Sequence, residues 1–194
     1  VEQERKKVLA TAPTLNEYLA TLNIEIEILI NNFDTIPRLA QMTQKTNQFN
    51  LTTRRSTESD ITEWISSGSL VYSGNIKDNF GAYGITVMNV FHPAKSATEL
   101  SLDTCLMSCR VMGREVEYIF FEKIAEDLIS RGYLVVHATY TPTPKNVPSK
   151  AYLSAVGGIK TKEDNGSETY RIDLHEVLAR SKSKKNTAKV KIIK

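Results

Sequence analysis

The chain has 194 residues, of which 41% are hydrophobic and 24% charged, a composition typical of a globular protein with one compact core. Its apolar runs, such as residues 87–91, are far shorter than the roughly 20 residues that a membrane-spanning helix needs. The N-terminal residues are polar and charged, unlike a signal peptide. We therefore expect a cytoplasmic protein that does not enter a membrane.

The net charge of +3 has its origin at the C-terminus. Residues 180–194 contain one Arg and six Lys and no acid, which leaves a charge of −4 on the rest of the chain. The body is acidic and the tail has no interleaved aromatic residues, so nucleic acid is not an expected partner. We expect this tail to be a solvated terminus or a contact for an acidic partner.

The first elements follow from local patterns. Isoleucines alternate with other residues over 24–30, which predicts a half-buried first strand. Asp34 or Thr35 can cap a helix that has Pro37 in its first turn. Thr57 and Asp60 form a capping-box pair that opens a second helix.

An antiparallel meander is predicted next, with strands over 69–76, 83–91 and 97–108. A helical stripe follows Gly113 and ends at Gly132. The remaining signals are a strand over 133–140, a hairpin turn at Asn165-Gly166 and a strand over 169–174. This order predicts an α/β (α+β) fold whose mixed, mostly antiparallel sheet is flanked by helices.

The two cysteines, Cys105 and Cys109, fall in one strand-like run. A strand would hold them roughly 13 Å apart, too far for a disulfide, so both are predicted to be free thiols. Downstream lies the turn Arg110-x-x-Gly113-Arg114, where backbone amides at a helix start can bind an anion. The alternative is that Gly113 only turns a strand into a helix.

Four sequence blocks, taken together, indicate a family. They are residues 44–55, 78–84, 103–114 and 140–146. In this order they resemble the C-terminal half of FkbH-like proteins, subfamily IIIC of the haloacid dehalogenase superfamily, over residues 36–158. That half is similar to acetyltransferases of the GNAT type, in which a Gly-containing loop after the fourth strand holds a pyrophosphate or pantetheine arm.

The resemblance implies a division of labour within a longer parent protein. Members of this family transfer a glyceryl unit from a bisphosphorylated glycerate to the phosphopantetheine thiol of an acyl carrier protein. Their phosphatase half needs magnesium and a D-x-D motif, which this sequence lacks. We therefore expect 1–22 to be a helical connector from a missing phosphatase-like domain, 23–179 a GNAT-like domain and 180–194 a basic tail.

The resemblance also implies which residues act. Cys109 is the expected acyl acceptor, because a thiolate forms more readily beside Arg110, Arg114 and a helix N-terminus. A small buried strand residue is the alternative for Cys109. We expect Cys105 to be part of the core, and we expect no metal ligands in this chain.

A second group of residues is expected to hold the pantetheine arm, the acyl carbonyl or a phosphate. A self-capping loop between two helices is the alternative for the first seven of them. The group consists of Asn47, Gln48, Asn50, Thr52, Thr53, Arg54 and Arg55, of Arg110, Gly113 and Arg114, and of Thr143, Lys145 and Asn146.

Two departures from the acetyltransferase pattern argue against simple amine acetylation. Glu115 stands where a small residue ends the loop, and its carboxylate would repel a pyrophosphate. Leu153, next to Tyr152, stands where acetyltransferases often have a tyrosine acid. The function that we predict is acyl transfer from a phosphorylated donor to a carrier thiol. The alternatives are a coenzyme A-dependent N-acyltransferase and a non-catalytic carrier-docking module.

Overall fold

The computed structural model describes residues 14–181 and 188–193. Its first element is helix α1, Leu15–Leu22, capped by Thr14, whose side-chain oxygen accepts a hydrogen bond from the Glu17 amide. This helix falls in the range predicted to be a helical connector, of which residues 1–13 lie outside the described residues. No helix in the described ranges is long and apolar enough to cross a membrane.

The described residues form one mixed sheet. Its strands are β1 Glu25–Ile30, β2 Phe49–Asn50, β3 Leu70–Asp78, β4 Gly81–Pro93, β5 Glu99–Met107, β6 Val135–Tyr140, β7 Ile159–Asp164, β8 Ser167–Asp173 and β9 Lys189–Ile193. Their spatial order is β7-β8-β6-β5-β4-β3-β1-β9, with β2 paired to β5. The pairs β5–β6 and β1–β9 are parallel, and the others are antiparallel.

Helices cover both faces of this sheet. Successive strand residues point to opposite faces, so Val71 and Tyr72 of β3 belong to different apolar clusters. One cluster includes residues of α2 and α3, and the other includes residues of α1, α4, α5 and α6. The remaining helices are α2 Ile36–Lys45, α3 Glu58–Ser66, α4 Val116–Ser130, α5 Val147–Ala155 and α6 Leu174–Ser181.

Local chemistry sets several of these boundaries as predicted. Thr57 and Asp60 form the reciprocal capping box of α3. Asn165 and Gly166 make the turn between β7 and β8 with φ angles of 49° and 76°, the left-handed pair that a tight hairpin requires. The predicted α/β architecture with a mostly antiparallel sheet is confirmed.

The basic C-terminal segment differs from its expected solvated state. Residues 189–193 form β9, which extends the sheet by pairing with β1. The register places Lys189 opposite Glu25 and Lys191 opposite Glu27, and opposite charges directly across two strands are stabilising. Complementary charge on the neighbouring strand, which the net charge of the tail does not reveal, accounts for the difference.

The strand that carries the cysteines is shorter than predicted. β5 ends at Met107, and Cys109 lies in a 3₁₀ turn, Cys109–Val111, that is capped by the Ser108 side chain. Both cysteines are free, as predicted. Cys105 is buried in the core as expected, whereas Cys109 is exposed, so the alternative of a buried strand cysteine is wrong for Cys109.

Candidate functional site

The central feature of the site is a crevice between two parallel strands. β5 and β6 pair only between Glu99–Leu102 and residues 135–138, at the start of each strand. Beyond these residues the direct pairing stops, and the carboxyl ends of the two strands lie on either side of a gap. Ligands of open α/β sheets commonly bind in such a crevice at the carboxyl ends of the strands.

In this protein the chain itself occupies the crevice. Residues 49–52, the inserted segment, contain β2, in which Phe49 pairs with Met107 of β5. The Leu51 amide donates to the Cys105 carbonyl at 3.1 Å, and the Leu51 carbonyl accepts from the Thr141 amide at 2.9 Å. The inserted segment therefore bridges the two separated strands as an additional strand would.

Asn146 holds the inserted segment in place. Its side-chain amide donates to the carbonyls of Asn50 (2.9 Å) and Thr141 (3.0 Å). Its side-chain oxygen accepts from the Thr143 amide (2.8 Å) and the Tyr140 hydroxyl (3.2 Å). Because Asn146 is fully buried, its predicted contact with a substrate is replaced by a structural role. Thr143 has the same role, because it forms the turn that Asn146 closes.

The turn after the inserted segment is strained. Thr53 has a φ of 54°, an unusual conformation for a β-branched residue. The buried Asn50 side chain accepts from the Thr53 amide at 2.9 Å, and the Thr52 hydroxyl donates to the Asp103 carbonyl at 2.8 Å. These contacts of Asn50, Thr52 and Thr53 support the alternative of a self-bonded loop for this part of the chain.

An open pocket of about 700 Å³ lies beside the inserted segment, at the end of β5. The residues before the segment form one wall, and the turn that contains Cys109 forms another. Its lining residues are Arg38, Met42, Lys45, Thr46, Asn47, Gln48, Met107, Ser108, Cys109, Arg110 and Lys145. The pocket thus brings together five of the residues predicted for the site, Cys109 among them.

The charge of this pocket is positive. Four lining residues are cations, none is an acid, and none of the four cations has an ion-pair partner among the described residues. Burial, and then the nearby positive charge of Arg110, lower the pKa of Arg38. Such a cluster is stabilised by an anion bound among its members.

Arg38 and Lys45 were not among the predicted site residues. Both lie on α2, where Arg38, Met42 and Lys45 are spaced at i, i+4 and i+7 and therefore share one helix face. That spacing is the signal from which they could have been found. The Arg38 side chain is oriented by a 3.2 Å hydrogen bond from Nε to the Ile85 carbonyl.

Arg114, a predicted anion ligand, does not line the pocket. Its side chain is only 1% exposed, with Nε 3.5 Å from an Asp78 carboxylate oxygen and its guanidinium stacked on the Tyr83 ring at 4.2 Å. Asp78 precedes Arg114 by 36 residues, and its carboxylate offsets the positive charge of the arginine. Gly113 is exposed with φ +75°, so its turn conformation explains the glycine.

The two arginines after the inserted segment also lie outside the pocket lining. Arg54 pairs with Asp103 at 2.8 Å and lies 5.1 Å from the Trp64 ring centroid. Arg55 donates to the Thr43 carbonyl and to the Asn47 side chain. Arg55 therefore positions a pocket residue, while Arg54 contributes to a surface ion pair.

No histidine lines the pocket, and the predicted acid position is sealed. Tyr152 and Leu153 are 2% and 0% exposed. Burial raises the pKa of Tyr152 well above its usual value, so its hydroxyl stays protonated in the core. Burial also raises the pKa of the Cys105 thiol, which leaves Cys109 as the accessible thiol of the two.

No protein-family model matches the sequence, and no curated protein matches it. Many solved structures match the fold. The PaiA N-acetyltransferase of Thermoplasma acidophilum in complex with coenzyme A has a TM-score of 0.62 at 9% identity over 77% of this chain and 99% of that one. The ribosomal-protein-S18-alanine N-acetyltransferase of Escherichia coli has a TM-score of 0.58 at 11% identity over 78% and 94% of the two chains.

The GNAT domain of S. lividans PAT has a TM-score of 0.59 at 15% identity, over 75% of this chain and 89% of that one. At these identities the likeness concerns the backbone fold alone. The chain has the fold of the GNAT acetyltransferases.

Proposed function

We propose that this domain transfers an acyl group through Cys109, as the FkbH-like resemblance implies, from a phosphorylated donor to the thiol of an acyl carrier protein. The proposal is carried by the exposed Cys109 in a pocket lined by four cations that have no ion-pair partner in residues 14–181 and 188–193. An accessible thiol supplies a nucleophile, and the cations supply a site for phosphate.

The donor that fits this arrangement is an acyl phosphate. The Cys109 sulfur attacks the carbonyl carbon, a C–S bond forms, and the bond between the carbonyl carbon and the phosphate oxygen breaks. The departing phosphate takes the electron pair of that bond and the thiol proton, and it leaves as hydrogen phosphate. Arg38, Lys45, Arg110 and Lys145 surround the space in which that charge accumulates.

The second half of the reaction returns the cysteine to its starting state. The pantetheine thiol of the carrier attacks the carbonyl carbon of the Cys109 thioester. A bond forms from this carbon to the pantetheine sulfur, the bond to the Cys109 sulfur breaks, and the proton of the pantetheine thiol passes to the Cys109 sulfur. The same cations suit the phosphate of the pantetheine arm, and acidic side chains on a carrier surface. Asn47 and Gln48 offer amide donors and acceptors to that arm.

Coenzyme A is the natural donor to consider for this fold, and it is present in the complex of the PaiA protein. The residues of this chain do not fit its extended arm in the crevice, because the inserted segment pairs with β5 there and is hydrogen-bonded to Thr141, the residue directly after β6. We therefore assign no step to coenzyme A.

The test is covalent labelling of the whole chain. Incubation with a labelled bisphosphorylated glycerate is expected to add one acyl unit to Cys109, located by peptide mass spectrometry and released by hydroxylamine as a thioester. Cys109→Ser should lose this adduct, and Cys105→Ser should keep it, because Cys105 is buried. An unchanged adduct in Cys109→Ser would exclude the nucleophile role.

A charge series tests the phosphate site. Arg110→Gln should slow labelling about 10- to 100-fold, since a hydrogen bond to a charged group contributes about 1.5–3 kcal/mol. Lys123→Gln is the control, because Lys123 pairs with Glu126 on α4 and does not line the pocket. Carrier binding without any labelling of the wild-type chain would instead favour the docking module.

A further inference from the structure

We propose that the inserted segment permanently excludes coenzyme A, and other extended ligands, from the crevice between β5 and β6, so that every ligand of Cys109 enters through the cationic pocket. The inference concerns the route to the thiol and does not depend on which acyl group is transferred. It rests on three observations. The backbone groups along the crevice already have hydrogen-bond partners, side chains fill the volume of the crevice, and buried hydrogen bonds anchor the segment.

The backbone groups along both sides of the crevice already have hydrogen-bond partners. On the β5 side, the Cys105 and Asp103 carbonyls accept from the Leu51 amide (3.1 Å) and the Thr52 hydroxyl (2.8 Å). On the β6 side, the Thr141 amide donates to the Leu51 carbonyl at 2.9 Å. An arm with its own amide groups binds a strand edge by pairing with free backbone groups, and here those groups have partners within the chain.

The space is filled as well. Phe49 is 3% exposed and Leu51 is fully buried. The Phe49 ring packs edge-on against Tyr152 with centroids 5.2 Å apart. The cavity that remains between Phe49, Tyr152 and Cys105 measures about 10 Å³, the lower limit for a single water molecule. A pantetheine arm in the crevice would need the volume that the Phe49 and Leu51 side chains occupy.

The anchors of the segment come from a distant part of the chain. The Asn50 amide donates to the Ser149 hydroxyl at 2.9 Å, and Asn146 donates to the Asn50 carbonyl at 2.9 Å. Both anchors are fully buried, and they belong to the start of α5 or the residue before it. Withdrawing the segment would break these contacts and expose Phe49 and Leu51 together, so the segment behaves as part of the core.

The route that remains is the pocket. Its lining includes Thr46 to Gln48, directly before the segment, and Met107 to Arg110, which begin at the last paired residue of β5. The segment is therefore the boundary between the filled crevice and the open pocket. A ligand that reaches Cys109 passes the four cations, which selects for anionic groups.

The test locates coenzyme A on the protein, because its phosphates can bind the pocket cations without entering the crevice. Amide hydrogen exchange of Leu51 and Thr141 is measured by NMR with and without saturating coenzyme A, and with pantetheine, which has no phosphate. The expected result is less than a twofold change at both amides, and no measurable binding of pantetheine. Asn146→Ala is the control that shows whether loosening of the inserted segment can be detected, because its Leu51 amide should exchange faster than that of the wild type.

The proposal would be overturned if coenzyme A accelerated the amide hydrogen exchange of Leu51 or Thr141 tenfold or more. Nuclear Overhauser contacts between pantetheine protons and Cys105 or Thr141 would overturn it as well. The absence of any coenzyme A binding supports it. These outcomes are separate from the labelling of Cys109, because the segment can yield to coenzyme A while Cys109 still accepts an acyl phosphate. Conversely, an unreactive Cys109 leaves the exchange result unaffected.

Discussion

The Asn146→Ala substitution tests how strongly the inserted segment is held. The fully buried Asn146 side chain makes four hydrogen bonds of 2.8–3.2 Å, with Asn50, Thr141, Thr143 and Tyr140, and a longer fifth one of 3.4 Å to the Leu51 carbonyl. Each intramolecular hydrogen bond contributes about 1 kcal/mol net, and removing one partner leaves the other buried without one. The expected loss in the free energy of unfolding is therefore about 3–4 kcal/mol.

Urea unfolding followed by the fluorescence of Trp64, the single tryptophan, measures this loss. For a slope of about 2 kcal/mol per molar urea, the midpoint should fall by about 1.5–2 M. Asn75→Ala is the matched control, because the half-buried Asn75 makes one side-chain bond, to Glu27, at 3.2 Å. Its loss should stay within about 0.5 kcal/mol.

Asn146→Asp separates the donors from the acceptors. It keeps an oxygen for the Thr143 amide but places a carboxylate against the carbonyls of Asn50 and Thr141, which need donors. It should be at least as destabilising as Asn146→Ala at neutral pH. A loss below about 1 kcal/mol for Asn146→Ala would refute the reasoning, since water would then replace the anchor and the segment would not be fixed.

Three further predictions follow from buried or paired groups. Iodoacetamide should modify the exposed Cys109 at least about 100-fold faster than the buried Cys105 in the native chain, as read by peptide mass spectrometry. Hydrogen bonds, first from Lys150, lower the pKa of Glu168 to about 2, so its contribution to stability is present above pH 4–5 and is lost as the pH falls towards 2. Between pH 5 and 2, the free energy of unfolding should fall by about 1–2 kcal/mol more in the wild type than in Glu168→Gln. This difference is smaller than the pKa shift alone would give, because Lys150 is 48% exposed and water screens the ion pair. Tyr72→Phe removes a hydroxyl that donates to a buried carboxylate at 2.7 Å, and it should cost about 1.5–3 kcal/mol in urea unfolding.

The elements that the sequence predicts well are those with a local cause. The capping box at Thr57 and Asp60 and the Asn165-Gly166 turn act within four residues, and the meander follows from short turns between alternating strands. The ends of these elements are less certain from sequence. The predicted strand-like run extends through Cys109, whereas β5 ends at Met107 and the Ser108 side chain caps a 3₁₀ turn that begins at Cys109.

The role of residues 49–52 has no local signal. Their partners are Asp103, Cys105, Thr141, Asn146 and Ser149, which lie about 50 to 100 positions further along the chain. A segment with many amides and hydroxyls reads equally well as a ligand-binding loop or as a loop that bonds to the rest of the protein. The choice depends on the gap between β5 and β6, which exists only after the sheet has formed.

The same reasoning explains which of the predicted cations line the pocket. A cation beside a turn is a good candidate for binding an anion, but the partner that it meets in the fold decides whether it is free to do so. Arg114 is paired with Asp78, whereas Arg110 and Lys145 line the pocket and have no acidic partner in the part of the chain that the structure describes.

The neighbouring cations of the pocket lower the stability of the protein unless an anion binds among them. Arg38 is held by the Ile85 carbonyl in a position where Arg110 repels it, and no carboxylate among the described residues offsets the two charges. Like charges brought together lower stability, and such local costs concentrate at functional sites. The fold places a free thiol beside these charges and closes the neighbouring crevice with its own chain. The transfer that we propose, from an anionic acyl donor that approaches Cys109 from the pocket side, would account for all three features.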